Sequence, residues 1–212
     1  MDDKRYLTCL ISEGEHQQQD FKYKITDACK LARSVSAFAN TDGGRLLIGV
    51  RDDGHLSGVR SEEEIFMMKE AAGAYCSPAA PISFETFHAE GRTIVIATVP
   101  VATQKPVKAV DEEGRRRAYI RIADENIVAS PVHLRIWHDE ASKRGQLYRH
   151  GEAEHQVMSA LDTDTPLTLS QLVRKAKVGR YQAIAILSRL IRFGLVRWVY
   201  SDGRFLFQRT DK

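Results

Sequence analysis

Cysteine is scarce: three in 212 residues, at Cys9, Cys29 and Cys76, with no CxxC spacing. That excludes a disulfide framework or a cysteine metal centre and fits a reducing, cytoplasmic setting. Long apolar runs are missing too; none approaches the ~18 residues a membrane span requires, so no membrane partner is expected. The first twenty residues, MDDKRYLTCLISEGEHQQQD, are acidic and poor in apolar side chains, so no signal peptide is expected. There is no GxxxxGK[ST] loop to cradle a nucleotide, and ATP is not expected as a ligand. The seven histidines (His16, His55, His88, His133, His138, His150 and His155) show no HExxH-like metal spacing. No Ser-His-Asp or Cys-His arrangement stands out, and there are neither repeats nor low-complexity tracts.

What is present is ordinary in bulk and uneven in distribution. Apolar residues make up 43% and charged residues 28%, the composition of a soluble globular chain of one large or two small domains. The formal net charge is only +3, yet ten of the 31 Lys/Arg and two of the 28 Asp/Glu fall in residues 168–212. A basic C-terminal module on an acidic body points to a polyanionic partner.

The chain is organised around residues 37–58, AFANTDGGRLLIGVRDDGHLSG. The run predicts the end of an apolar-faced helix, a turn in which Gly43-Gly44 permits positive φ or close approach, and a buried strand over 45–50. Asp52-Asp53-Gly54 then closes the strand in an acidic turn. Upstream, residues 6–12 fit a short helix or strand, and a strand is expected over 21–25. Thr26 or Asp27 can cap a helix whose apolar stripe is Ala28, Leu31, Ala32, Val35, Phe38 and Ala39. Downstream, Ser61 and Glu64 form a capping box for a helix over 62–76. Strands follow over 82–88 and 93–99, the second central, and then a hairpin of 105–110 with 118–122. Its tip, DEEGRRR, carries the run Arg115-Arg116-Arg117, offset by neighbouring acids. A helix is expected from Pro131 through Trp137 towards Tyr148.

The AFANTDGG block, Gly49-Val50 followed by Asp52-Asp53-Gly54, and Leu56-Ser57-Gly58 resemble the Schlafen-type AlbA domain. So do Glu15 with Asp20-Phe21-Lys22, Lys105-Pro106, and Ala118-Tyr119-Ile120-Arg121. The resemblance covers roughly residues 10–132 and implies an α+β, mixed-sheet domain that binds nucleic acid. In the Schlafen core three carboxylates serve metal-dependent RNA cleavage. They carry over onto Glu15, Asp20 and Asp53, with Lys22 beside them to meet a phosphate oxygen. Convergent carboxylates of this kind hold Mg²⁺ or Mn²⁺. Asp20 departs from the family's glutamate and is one methylene shorter.

Residues 151–212 read helix, helix, turn, helix, β-hairpin: 153–161, then 169–176 capped by Thr168, then a Lys177-Val178-Gly179 turn. The last helix spans 180–193 with Ile184, Leu187, Leu190 and Ile191 on one face and stops at Gly194. Strands at 195–200 and 205–208 flank Ser201-Asp202-Gly203. This order resembles the winged helix-turn-helix superfamily, whose last helix enters the major groove. Arg180, Tyr181 and Gln182 then face base edges, and Arg189, Arg192, Arg197 and Arg204 meet phosphates. The expected organisation is a Schlafen/AlbA-like domain over 1–135, a connecting helix over 136–150 and a winged helix over 151–212.

Three functions fit this pattern. The first is a cytoplasmic DNA-binding transcriptional regulator without a cofactor, for which a homodimer reading two half-sites is consistent. The second is a Schlafen-like endoribonuclease acting on structured RNA, the only one that needs Mg²⁺ or Mn²⁺. The third is a protein-docking adaptor.

Overall fold

The computed structural model describes residues 3–111, 113–142 and 151–210. The chain divides into two units, 1–128 and 129–212. Seven helices and mixed sheets make up the described residues. None of the helices is long and apolar enough to cross a membrane.

In the first unit the opening residues form helix α1 (Asp3–Glu13), with Leu7 and Leu10 buried. Strand β1 (Gln19–Lys22) comes two residues earlier than the apolar pattern suggests. Helix α2 (Ala28–Asn40) starts at Asp27, whose carboxylate accepts hydrogen bonds from the Cys29 and Lys30 amides. These are donors that a helix start leaves without partners. β2 (Gly44–Ile48) follows the glycine turn. Helix α3 (Ser61–Gly73) has Arg60 at its N-cap and no side-chain cap hydrogen bond. It stops short of Cys76 because Cys76–Ser77 forms strand β3, paired with β6 (Lys108–Val110). Between them run β4 (Ser83–Ala89) and β5 (Arg92–Val99). The unit closes with β7 (Arg116–Ile122) and β8 (Glu125–Val128).

These strands make two four-stranded sheets. The first, in the order β1-β2-β5-β4, is mixed: β1 runs parallel to β2 and the other pairs are antiparallel. The expected central position of β5 is observed. The second, β3-β6-β7-β8, is antiparallel throughout. Helix α2 packs against both, and ten of its thirteen residues are buried. The expected one-sided stripe is therefore too narrow. Ser34, Ser36, Ala37 and Asn40 are enclosed as well, as happens to a helix covered on more than one face. The opposite face of the first sheet, with Phe21, Leu47, Val50, Ile94 and Ile96, meets Leu7 and Leu10 of α1.

The glycine pair is set by packing. Gly43 has φ +71°, a conformation L side chains avoid. A Cβ on Gly44 would stand 2.3 Å from Cδ1 of the fully buried Phe38 ring.

The second unit begins with helix α4 (Pro131–Ala141), capped by Ser130 with proline in the first turn. The part of this helix expected beyond Ser142 lies outside the described residues. Helix α5 (Glu152–Ala160) follows, then strand β9 (Leu167–Thr168) and helix α6 (Leu169–Ala176). Thr168 and Gln171 form a reciprocal capping box, and Lys177 ends α6 in the left-handed region at φ +54°. Helix α7 (Arg180–Arg192) is stopped by Gly194 at φ +70°. β10 (Val196–Ser201) and β11 (Arg204–Arg209) pair around Asp202-Gly203, both at positive φ. That two-residue turn matches the strands' twist. β9 adds to β11, giving the order β10-β11-β9.

Helix α4 packs inside this unit: Ser188 on α7 donates to Asp139 at 2.9 Å, and both residues are buried. The buried face of α7 is therefore wider than its apolar spacing implies, with Ala183, Ile186 and Ser188 enclosed beside Leu187 and Leu190.

His133 of α4 sits deep in this core. Its ring lies 4.7 Å from Trp198 and 4.8 Å from Phe205, both edge-on, and 6.2 Å from Trp137. Nδ1 is 2.7 Å from the Ser130 hydroxyl. Burial pushes the imidazole down to about 4. The folded chain thus holds it neutral, whereas the unfolded chain binds a proton near the ordinary 6.5. This stability is whole above pH 6.5 and is lost as pH falls towards 4, by up to roughly 3 kcal/mol. Both tryptophans of the chain, Trp137 and Trp198, are in this unit. Urea midpoints read by their fluorescence should fall between pH 7 and pH 5, and His133→Phe should flatten that dependence. Equal pH slopes in both proteins would remove His133 as the cause.

Candidate nucleic-acid interface

The start of α7 is an open surface. Gly179 holds extended backbone at the N-cap and adds no side chain. Arg180, Tyr181 and Gln182 are exposed, Tyr181 by 89%. An aromatic ring of that size is rarely left in water without a partner.

Arg180 shares a cleft of about 540 Å³ with Arg174 from the last turn of α6 and Arg204, the first residue of β11. None of the three makes an ion pair among the described residues, and no carboxylate lines the cleft. Like charges brought together without a counter-charge raise the local affinity for an anion. Residues 168–212 are thus basic on average and also focus charge at one place.

The other expected contacts are distributed differently. Arg189 is tied to Glu154 of α5. Arg197 is braced across the hairpin by Gln208, whose amide oxygen accepts from Nε at 2.7 Å and Nη2 at 2.9 Å. Arg192 is exposed on the last turn of α7. Lys22 belongs to the first unit, with Nζ 2.7 Å from Asp20 Oδ2 and donating to the Phe21 carbonyl at 2.9 Å. Arg174, missed from the sequence, was visible there only as one basic residue in a basic segment.

The acidic trio separates into a pair and an outlier. Glu15 Oε1 accepts the Phe21 amide at 2.8 Å, on the edge strand of the first sheet. Burial, and then the hydrogen bond with Asp20, raise the Glu15 carboxyl above its ordinary value. Asp20 pairs in register with Leu46 and points to the α2 side, where Arg121 Nη2 lies 3.5 Å from Oδ1. Asp53 is on the other side of the sheet, beside Gly54, whose Cα faces Ile11 of α1. Its carboxylate accepts the His55 amide at 3.0 Å, and that bond holds it below its ordinary value. This is the Asx turn expected of a turn-forming aspartate. Among the described residues, no three His, Cys, Asp or Glu side chains converge in a way that could hold a metal ion.

Arg121 is 2% exposed. Its Nη1 donates to Asn126 at 3.0 Å and its Nη2 to the Gln19 carbonyl at 3.3 Å, and its guanidinium lies over the Phe38 ring. It therefore joins β7 to β1 from inside. The hairpin-tip arginines are neutralised locally: Arg115 and Arg117 both reach Asp111, at 3.0 and 3.3 Å, and Arg115 also pairs with Glu113. Beside the glycine turn, a cleft of about 460 Å³ carries Glu13, Asp42 and Glu85. Its Arg45 is taken by Glu13 at 2.5 Å. That surface repels polyphosphate.

No curated protein matches the chain. Among solved structures, the DIP2311 protein of Corynebacterium diphtheriae aligns with a TM-score of 0.45 and 20% identity, over 75% of this chain and 36% of that one. The chain thus spans about a third of that protein's length. The N-terminal domain of a RecG-related protein from Nitrosomonas europaea aligns with a TM-score of 0.44 and 21% identity, over 71% of this chain and 97% of that one. The family model described as Schlafen, AlbA_2 matches residues 15–130, more than half of the chain, and the chain belongs to that family.

Proposed function

We propose that the protein binds nucleic acid, and duplex DNA in particular, as a regulator whose second unit works as a winged helix-turn-helix. The observation that carries this reading is the uncompensated arginine cluster of Arg174, Arg180 and Arg204 beside the exposed Tyr181 and Gln182. The element order α5, β9, α6, α7, β10, β11 supports it. So does membership of a family read as nucleic-acid-binding. In this arrangement Arg180 and Gln182 address base edges, while Arg174, Arg192 and Arg204 meet phosphates. A homodimer would present two such surfaces to successive half-sites. The regulator works without a metal, and the Asx turn at Asp53 is part of the fold.

The test is retention of labelled duplex DNA and of total tRNA, with Mn²⁺ or EDTA, across a salt series. DNA should be retained with tRNA intact. Arg180→Ala with Arg204→Ala should cost at least about ten-fold in affinity and lower the salt slope by roughly 2, about 0.9 per lost phosphate contact. Asp53→Ala should leave retention unchanged. Two results would sink the reading: no retention above background near physiological salt, or tRNA cut in Mn²⁺ and spared by Asp53→Ala.

A further inference from the structure

The cleft between α6, α7 and β11 has more shape than a phosphate contact needs. A nucleic-acid backbone meets cations on an open surface and brings no apolar body with it. Here Arg174, Arg180 and Arg204 stand over a concavity of about 540 Å³ walled by Leu169, Phe205 and Phe207. That volume is within the range of small-molecule sites, which join an apolar lining to a few placed polar groups. Guanidinium forks match planar oxyanions, and their charge here is not offset by any lining carboxylate.

We propose that this cleft binds a small organic anion, an oxyanion head on a flat apolar body, and that its occupant competes with DNA. The head sits among the three arginines and the body against Leu169, Phe205 and Phe207. Competition follows because Arg180 and Arg204 cannot serve a ligand in the cleft and a phosphate outside it at once. Only this second half rests on the DNA-binding reading.

The test uses the full chain and two probes, 1-naphthyl phosphate and 1-naphthoate, titrated by calorimetry beside inorganic phosphate. Both naphthyl probes should bind at least about ten-fold tighter than inorganic phosphate, through the apolar wall. Arg174→Gln should weaken them about ten-fold, the loss of one charge-assisted contact. Amide shifts in the unaltered protein should centre on the first turn of α6 and on β11, which locates the site without any substitution. Saturating 1-naphthyl phosphate at constant ionic strength should lower DNA retention at least about ten-fold. Inorganic phosphate binding as tightly as the naphthyl probes, or no binding by either, would overturn the site. Probe and DNA binding together without competition would overturn the regulation. If DNA is never retained, the regulator reading falls and the titration still decides the cleft.

Discussion

Replacing Arg121 with methionine should destabilise the first unit by roughly 3–5 kcal/mol, the cost of removing one partner from a buried ion pair. The methionine follows the stem of the arginine and keeps most of its packing against Phe38, so the loss is electrostatic. It leaves the Gln19 carbonyl and the Asn126 side chain without their donor and Asp20 without its buried counter-charge. Lys22 remains beside Asp20, at 2.7 Å, which keeps the cost within that range. The double variant Arg121→Met, Asp20→Leu should recover much of the loss, because two apolar groups in place of a buried pair are often near neutral. Hydrogen exchange on the β1 and β7 amides reads this directly, since the tryptophans report the second unit alone. If stability changed by less than about 0.5 kcal/mol while nucleic-acid binding was lost, Arg121 would be a contact residue and its core role would be wrong.

That prediction runs against what the arginine's charge implies in the sequence, and it marks where the sequence is legible. Local chemistry is readable: the Asp27 cap, the Thr168–Gln171 box, the Asp202-Gly203 turn and the glycine stops are all in place. Each depends on residues within a few positions of one another. The fate of a charge depends on what the fold brings to it from elsewhere. Asp20 and Asp53 share the first sheet, yet strand alternation and the turn after β2 send them to opposite sides. Arg189 is on the expected helix but opposite Glu154, 35 residues away. Arg174 and Arg204 are 30 residues apart in sequence and meet only because β11 lies beside α6. The enclosure of α2 was equally hidden, because a stripe of apolar residues looks the same whether one sheet or two will cover it.

The largest effect of a single neutral side chain should come from Asn40, the last residue of α2. Asn40→Leu keeps the volume and removes the amide, and should cost about 4 kcal/mol, from two buried backbone groups at roughly 1–3 kcal/mol each. The amide nitrogen donates to the carbonyls of Val107 at 2.8 Å and Tyr119 at 2.9 Å, and its oxygen accepts the Val107 amide at 2.8 Å. Val107 keeps one carbonyl donor in Ser36 Oγ, at 2.8 Å, so its amide and the Tyr119 carbonyl are the groups left bare. Ser36→Ala alone should be milder, because Asn40 still holds the Val107 carbonyl. The pair should therefore cost more together than the sum of the two changes, since each covers for the other at Val107. Asn40→Asp should do no better than leucine: it can still accept from Val107, but it turns two carbonyls towards a buried negative charge. Chemical denaturation followed by far-UV circular dichroism measures all four proteins, and a cost below about 1 kcal/mol for Asn40→Leu would show that water reaches these groups. The block AFANTDGG thus carries a structural demand. Asn40 and Ser36 fix the second sheet to α2, Thr41 accepts the Arg121 amide at 2.9 Å, and Gly44 admits the Phe38 ring against the first sheet. A segment with that many fixed partners holds its shape whatever the chain binds, which is why function is sought in the second unit, where exposed arginines have no such partners.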